Sequence, residues 1–199
     1  MPDAYKPEEF AQLLENWAPE ERAIYDERMA SSFARERLEN FSEDEAALMR
    51  AVLKRLIPED EGVDLVGFID AYVDNPLGRG DRKPGMPETK ELFKLGLQGI
   101  DQSSGEMHAK PFRELDGDAQ DAVLRAISNG SAPGAVFRQI PSDYFFQRFY
   151  GKALHGYFAH PLVWMRIGFP GAAYPEGYVW VNKGETRMRH QRRIGWKTL

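Results

Sequence analysis

Residues 143–171, DYFFQRFYGKALHGYFAHPLVWMRIGFPG, constrain this chain more than any other stretch. They hold Tyr144, Phe145, Phe146, Phe149, Tyr150, Tyr157, Phe158, Trp164, Met165 and Phe169. Phe146, Phe149, Tyr150, Ala153 and Tyr157 fall at i, i+3, i+4, i+7 and i+11, one face of a helix. Phe145, Leu154 and Phe158 lie largely off that face. A helix apolar on more than one side is central to a core or covered by a partner. Pro161 is expected to stop it, because proline lacks an N–H and clashes with the preceding turn. Gly168, Phe169, Pro170 and Gly171 then read as a turn.

The other segments also carry helical spacing. Residues 7–17 read as a short helix with Phe10, Leu13, Leu14 and Trp17 as its stripe. A charged second helix follows Pro19, with Ile24 and Phe33 as its anchors, and reads as a surface arm. Ser42 with Glu45 three residues later is a capping box, and Leu48, Val52 and Leu56 follow it. Pro58 closes that helix. Residues 63–72 form the next, and 76–87, PLGRGDRKPGMP, read as a loop exposing Arg79, Arg82 and Lys83. Such a run is more often a solvated loop than a phosphate site, and no strand precedes its glycines.

Residues 88–107 place Phe93, Leu97 and Ile100 on one face. Gly96 and Gly99 weaken that helix by roughly 1 kcal/mol each. Their use is close approach of a neighbouring helix. Asp116 caps a further helix that buries Val123, Leu124 and Ile127 and ends at Asn129 and Gly130. After Gly171 the helical period fades. Tyr178, Val179, Trp180 and Val181 read as a short extended piece, and Arg187, Arg189, Arg192 and Arg193 make the tail basic.

These elements define an all-α chain: an irregular helical bundle with an N-terminal helical arm over 1–40, a helical domain over 41–171 and an extended, mostly non-helical basic tail over 172–199. At 199 residues it is long enough for one ordinary core.

Several function classes are disfavoured. A net charge of -5 argues against nucleic acid as a partner. The chain has no cysteine, which removes thiol catalysis and Cys-based metal sites. No run approaches the ~20 apolar residues of a membrane-spanning helix. The first residues show no basic region followed by an apolar one, so a cytoplasmic location is expected, with co-export on a signal-bearing partner as the alternative. Of the four histidines, His155 and His160 are five apart and off a common helix face, unlike an i, i+4 metal pair. No ExxH pair and no GxSxG elbow is present. His155 is the titratable residue of most interest: a core histidine bonded to backbone, or a contact at a partner's substrate entrance.

HGYFAHP followed by VWMRIGFPG resembles the C-terminal signature of the gluconate 2-dehydrogenase subunit 3 family, small non-catalytic subunits of FAD-dependent sugar and polyol dehydrogenases. Gly156, Tyr157, Phe158 and Pro161 match its first part, and Trp164, Ile167, Gly168, Phe169, Pro170 and Gly171 its second. Upstream, Ile57, Pro58 and Asp60 resemble the turn that closes the family's first helix. Gly62, Val63, Phe68, Ile69, Asp70 and Pro76 fit the next element, and Phe112, Leu115 and Gln120 later ones. The likeness covers about residues 42–171. A glycine/asparagine loop between Pro161 and Trp164 is missing here, as is the twin-arginine signal common in the family.

The resemblance implies an accessory, chaperone-like subunit that binds and stabilises a larger catalytic flavoprotein of the glucose-methanol-choline (GMC) type, a sugar or glycoside dehydrogenase. It implies FAD in that partner and no cofactor, metal or catalytic residue on this chain. A cytochrome or other electron acceptor would be reached through the complex. The implied interface is His155, Tyr157, Phe158, Trp164, Gly168, Phe169, Pro170 and Gly171, with Trp180 and Trp196 in the tail. Two rivals stand beside this reading: an independent helical enzyme with a histidine/carboxylate site, and a stand-alone adaptor.

Overall fold

The computed structural model describes residues 14, 15, 17, 19–31, 33–57, 62–74 and 82–167. Seven α-helices and one 3-10 turn lie among the described residues, with no strand. They are α1 (Pro19–Ser31), α2 (Glu43–Leu56), α3 (Leu65–Tyr72), α4 (Thr89–His108), the 3-10 turn Phe112–Glu114, α5 (Gly117–Ser128), α6 (Ser142–Ala159) and α7 (Pro161–Ile167). Backbone contacts separate two units: 31–160, and the described residues of 1–30 with those of 161–199.

In the first unit, local chemistry sets each boundary. Ser42 Oγ accepts from Glu45 N–H at 3.2 Å while Glu45 Oε2 accepts from Ser42 N–H at 2.7 Å, the reciprocal box expected at the start of α2. Three acidic residues occupy the first turn of α2 and two basic ones its last, complementing the helix dipole. Ile57 leaves helical geometry because Pro58 follows it. Asp64 caps α3 through Gly67 N–H at 3.0 Å, and Asp116 caps α5 through Ala119 N–H at 2.9 Å. Gly130, at φ +76°, takes the left-handed position after α5.

The bundle packs α3, α4 and α5 on α2, and sets α6 across α3, α4 and α5. Its centre is aromatic: Phe93, Phe112, Phe145 and Phe149 are fully buried together with Met49, Ile69 and Ile127. Phe93 meets Phe149 edge-on at 5.4 Å, and Phe145 stacks on Phe149 at 5.5 Å. Such ring pairs add about 0.5–1.5 kcal/mol each beyond area burial.

Glycine lets the rings in. A Cβ on Gly96 would overlap the Phe145 ring, and one on Gly99 would lie 2.6 Å from Phe137 Cζ. The close approach expected at these two positions is therefore made, by rings rather than by helix backbone. A Cβ on Gly156 would come 2.5 Å from Phe68 Cδ1. The buried side of α6 differs from the expected one. It runs through Phe145, Phe149, Ala153, Gly156 and Tyr157, with Phe146 and Tyr150 half-buried at its margin. Phe149, Ala153 and Tyr157 are buried as expected, while Phe145 and Gly156 join them in place of Phe146 and Tyr150, so the stripe is displaced from the Phe146 edge toward Phe145.

The second unit holds α1, residues 14, 15 and 17, and α7. Leu14, Tyr25 and Trp164 form its buried cluster, with Trp17, Met29 and Met165 against it. Trp17 meets Tyr25 edge-on at 5.9 Å and lies 6.3 Å from Trp164. Ile24, expected as an anchor of α1, is 50% exposed, and Tyr25 takes that role. Phe33 lies beyond α1 at φ +61° and packs in the first unit instead. Proline at 161 ends α6, as expected, with His160 extended before it. It also opens a further helix, α7, where the sequence reading had none. Proline suits a first helical position, whose N–H has no acceptor in any case.

Candidate partner-binding face

One buried carboxylate fixes the framework beside α6. Asp70, on α3, is fully buried. Its Oδ2 accepts from Arg35 Nη1 at 2.6 Å and from Glu39 N–H at 3.0 Å. Its Oδ1 accepts from Asn40 N–H at 2.9 Å and Phe41 N–H at 3.3 Å. Asn40 in turn donates to the Asp70 carbonyl and to Asp74 Oδ1, each at 2.8 Å, and accepts from Lys90 Nζ at 2.6 Å. A buried carboxylate is tolerable only with such a full set of donors. The result ties segment 33–41, which has no regular structure, to α3 and α4.

That segment delivers Phe33 to an aromatic run that reaches the surface. Phe33 lies 5.1 Å from Phe68 and meets His160 edge-on at 5.2 Å. Phe68 covers Gly156 and stacks on His155 at 6.1 Å and 23°. Gly67 permits the packing, since a Cβ there would overlap the Phe33 carbonyl oxygen. His155 is exposed, so its ring is presented rather than buried; the core histidine is His160. Phe158, one turn on, is 48% exposed and meets the Tyr157 ring edge-on at 5.3 Å.

A basic ridge runs beside these rings. Lys83 Nζ sits 5.2 Å over the Tyr144 ring, and Lys152 Nζ sits 3.8 Å over the Tyr72 ring. Burial first, then the neighbouring Arg148 charge, hold the Lys152 ammonium below the usual lysine pKa. Burial raises the Tyr72 phenol, and Arg148 partly offsets this.

The expected interface residues fall into three groups. His155, Tyr157 and Phe158 come together on α6; of these His155 and Phe158 face outward and Tyr157 is largely buried. Trp164 belongs to the second unit, where Leu14 and Tyr25 bury it. Gly168, Phe169, Pro170, Gly171, Trp180 and Trp196 lie outside the described residues, as do Arg79, the 178–181 piece and the basic tail. Sequence reasoning missed Asp70 as a framework residue and Arg148 and Lys152 as a pair. Their i, i+4 spacing on the most aromatic helix was the available signal.

No group of three or more His, Cys, Asp or Glu side chains that could hold a metal occurs among the described residues. A shallow groove of about 390 Å³ at the end of α4 is lined by Asp101, Gly105, Ala109, Lys110 and Pro111. Asp101 Oδ1 there already accepts from Phe112 N–H at 3.0 Å, which makes it a structural tie. None of the described helices is long and apolar enough to cross a membrane.

The model of the family Gluconate 2-dehydrogenase subunit 3 matches residues 43–171, well over half of the chain. The chain therefore belongs to the gluconate 2-dehydrogenase subunit 3 family. The matched span takes in α2 to α7 and the rings and cations of α6. No curated protein and no solved structure matches the chain.

Proposed function

We propose that this chain is a non-catalytic accessory subunit that binds and stabilises an FAD-dependent sugar or glycoside dehydrogenase of the GMC type. The observation that carries the reading is family membership over 43–171. The exposed Phe158 and the half-buried Arg148 of α6 support it, because aromatic and arginine side chains are common interface anchors. In this reading FAD on the partner would supply the hydride acceptor for oxidation of a sugar hydroxyl, and no residue of this chain would take part in that step. The product is a ketone or lactone. Electrons then pass to a cytochrome or another acceptor through the complex. The small subunit contributes area, maturation and the rim of the substrate entrance. The assembly is placed in the cytoplasm, with co-export on a signal-bearing partner as the rival, and cell fractionation decides between them.

The test is a pull-down of the tagged full chain from its native cells. The expected result is a larger, yellow flavoprotein recovered at fixed stoichiometry, with sugar-oxidising activity that is lost when the chain is removed. A chain that elutes alone, colourless and folded, overturns the reading.

A further inference from the structure

The turn that follows α5 carries a reactive pair of residues. Asn129 precedes Gly130, whereas the other asparagines of the chain precede Trp, Phe, Pro and Lys. Before glycine, the next backbone nitrogen reaches the asparagine side chain most easily, because no Cβ stands in its way. Asn129, Gly130 and Ser131 are all exposed, so water has access to the pair.

The folded turn holds this chemistry off. Asn129 has φ -88° and ψ -1°, which eclipses the Gly130 nitrogen with the Asn129 nitrogen and turns it away from the Asn129 side chain. The Gly130 N–H donates to the Ile127 carbonyl at 3.1 Å, and the Ser131 N–H donates to the Ala126 carbonyl at 3.0 Å. These bonds close the helix end around the left-handed Gly130. Buried Ser142 Oγ donates to the same Ile127 carbonyl at 3.0 Å, fastening the start of α6 to the cap. An amide nitrogen attacks only after losing its proton, and a hydrogen bond to a carbonyl keeps that proton in place. Exposed helix ends open more readily than the core behind them.

We infer that Asn129 is a site of spontaneous deamidation, shielded while the α5 cap is closed and reactive when the cap opens. The Gly130 nitrogen bonds to Asn129 Cγ, the bond from Cγ to the side-chain nitrogen breaks, and ammonia leaves with the proton that Gly130 gives up. Water then cleaves one of the two C–N bonds of the cyclic imide. Cleavage at the side-chain carbonyl gives aspartate, and cleavage at the main-chain carbonyl gives isoaspartate, which lengthens the backbone by one carbon. Water is the co-reactant, and no redox step is involved. Either product sets a carboxylate at the negative end of the α5 dipole. Asp143 already lines that turn, its Cγ 3.7 Å from the Cβ position of Gly130. The cap therefore closes less well after the change than before it, and the chain keeps a one-way record of openings where α5 hands over to α6.

The experiment incubates the full chain in mildly alkaline buffer, folded and in concentrated guanidinium chloride. Mass spectrometry of digests scores the amide-to-acid exchange and the isoaspartate at Asn129. Conversion there should lead every other asparagine, and should be about tenfold or more slower in the folded chain. Asn129→Gln should abolish it, since the ring to be closed is larger. Ser142→Ala, which unties α6 from the cap, should raise the folded rate and leave the denatured rate unchanged. If a circular dichroism melt shows that Ser142→Ala does not fold, a series of denaturant concentrations below the unfolding transition decides, and the rate should climb before the bundle unfolds. An Asn129 that stays an amide in denaturant, equal rates in the folded and denatured chain, or earlier conversion at another asparagine overturns the inference. So does a glycan on Asn129 in the chain taken from its native cells, which the N-x-S pattern of residues 129–131 would accept.

Discussion

The inward and outward sides of α6 are built from the same residue types and behave oppositely. Inward, Gly156 accepts the edge of Phe68, Phe145 fills the space left by Gly96, and Phe149 stacks on Phe145 and meets Phe93. Outward, Gly151 faces open space and Phe158 is half exposed. One side is closed by its own chain. The other leaves the Cβ position of Gly151 open, although Phe68 stacks on His155 and Lys152 lies over Tyr72 at its margin. The difference shows that glycine in a helix has no fixed meaning until the atoms opposite it are known.

The contrast can be broken at Asp70, which holds the frame behind the inward rings. Asp70→Ala strips the acceptor from Arg35 and from three backbone N–H groups. A loss of roughly 3–5 kcal/mol in unfolding free energy is expected, the range for breaking one side of a buried ion pair. Chemical denaturation measures it, and a loss below about 1 kcal/mol would mean water takes the place of the carboxylate. Next in size is Gly96→Ala. The added methyl must displace the Phe145 ring, so about 1–3 kcal/mol is lost despite alanine's better helix propensity. The matching change outside, Gly151→Ala, has the opposite sign: the isolated chain should gain about 0.5–1 kcal/mol. Equal signs at these two glycines would dissolve the contrast between the sides.

The smallest effect belongs to the exposed clamp between α2 and α5. Arg55 Nε and Nη2 donate to Asp121 Oδ1 and Oδ2 at 2.8 and 2.6 Å. The hydrogen bond from Arg55, more than its charge, holds the Asp121 carboxyl below its usual range. Its folded pKa is depressed, so the clamp's stabilisation is fully present above the unfolded carboxylate pKa of about 3.9 and is lost as pH falls through the lower folded value. Between those two values, the natural chain should lose slightly more stability than Asp121→Asn. Denaturation midpoints taken at a series of acid pH values check it, and parallel curves would show that solvent screens the pair completely.

Much of the bundle could be read directly from residue order. Ser42 and Glu45, and Asp116, do what local chemistry says they should. These are short-range signals, carried within one or two turns. The failures were of longer range. Ile24 has the larger aliphatic claim to a core, yet Tyr25 has Leu14, Trp17 and Trp164 to pack on. On α6 the expected Phe149, Ala153 and Tyr157 are buried, but Gly156 was passed over because it is buried for the Phe68 ring that faces it, not for any hydrophobicity of its own. Pro161 was read only as a stop, although the same lack of an N–H makes it a good start. The candidate site was legible at His155 and Phe158 through the family-like motif. Lys152 was not, because its significance comes from Tyr72, some eighty positions earlier in the chain.

The carboxylate of Asp70 has a consequence for how the molecule opens. The amides of Glu39, Asn40 and Phe41 belong to no helix or strand, yet all three point at one side chain on α3. Releasing any one of them leaves the carboxylate short of a donor, so they let go together or not at all. Residues 33–41 and α3 therefore form a single unit of local unfolding. In amide exchange the irregular segment will keep time with the helix, and a stretch that looks like a loop on paper will have the lifetime of the core.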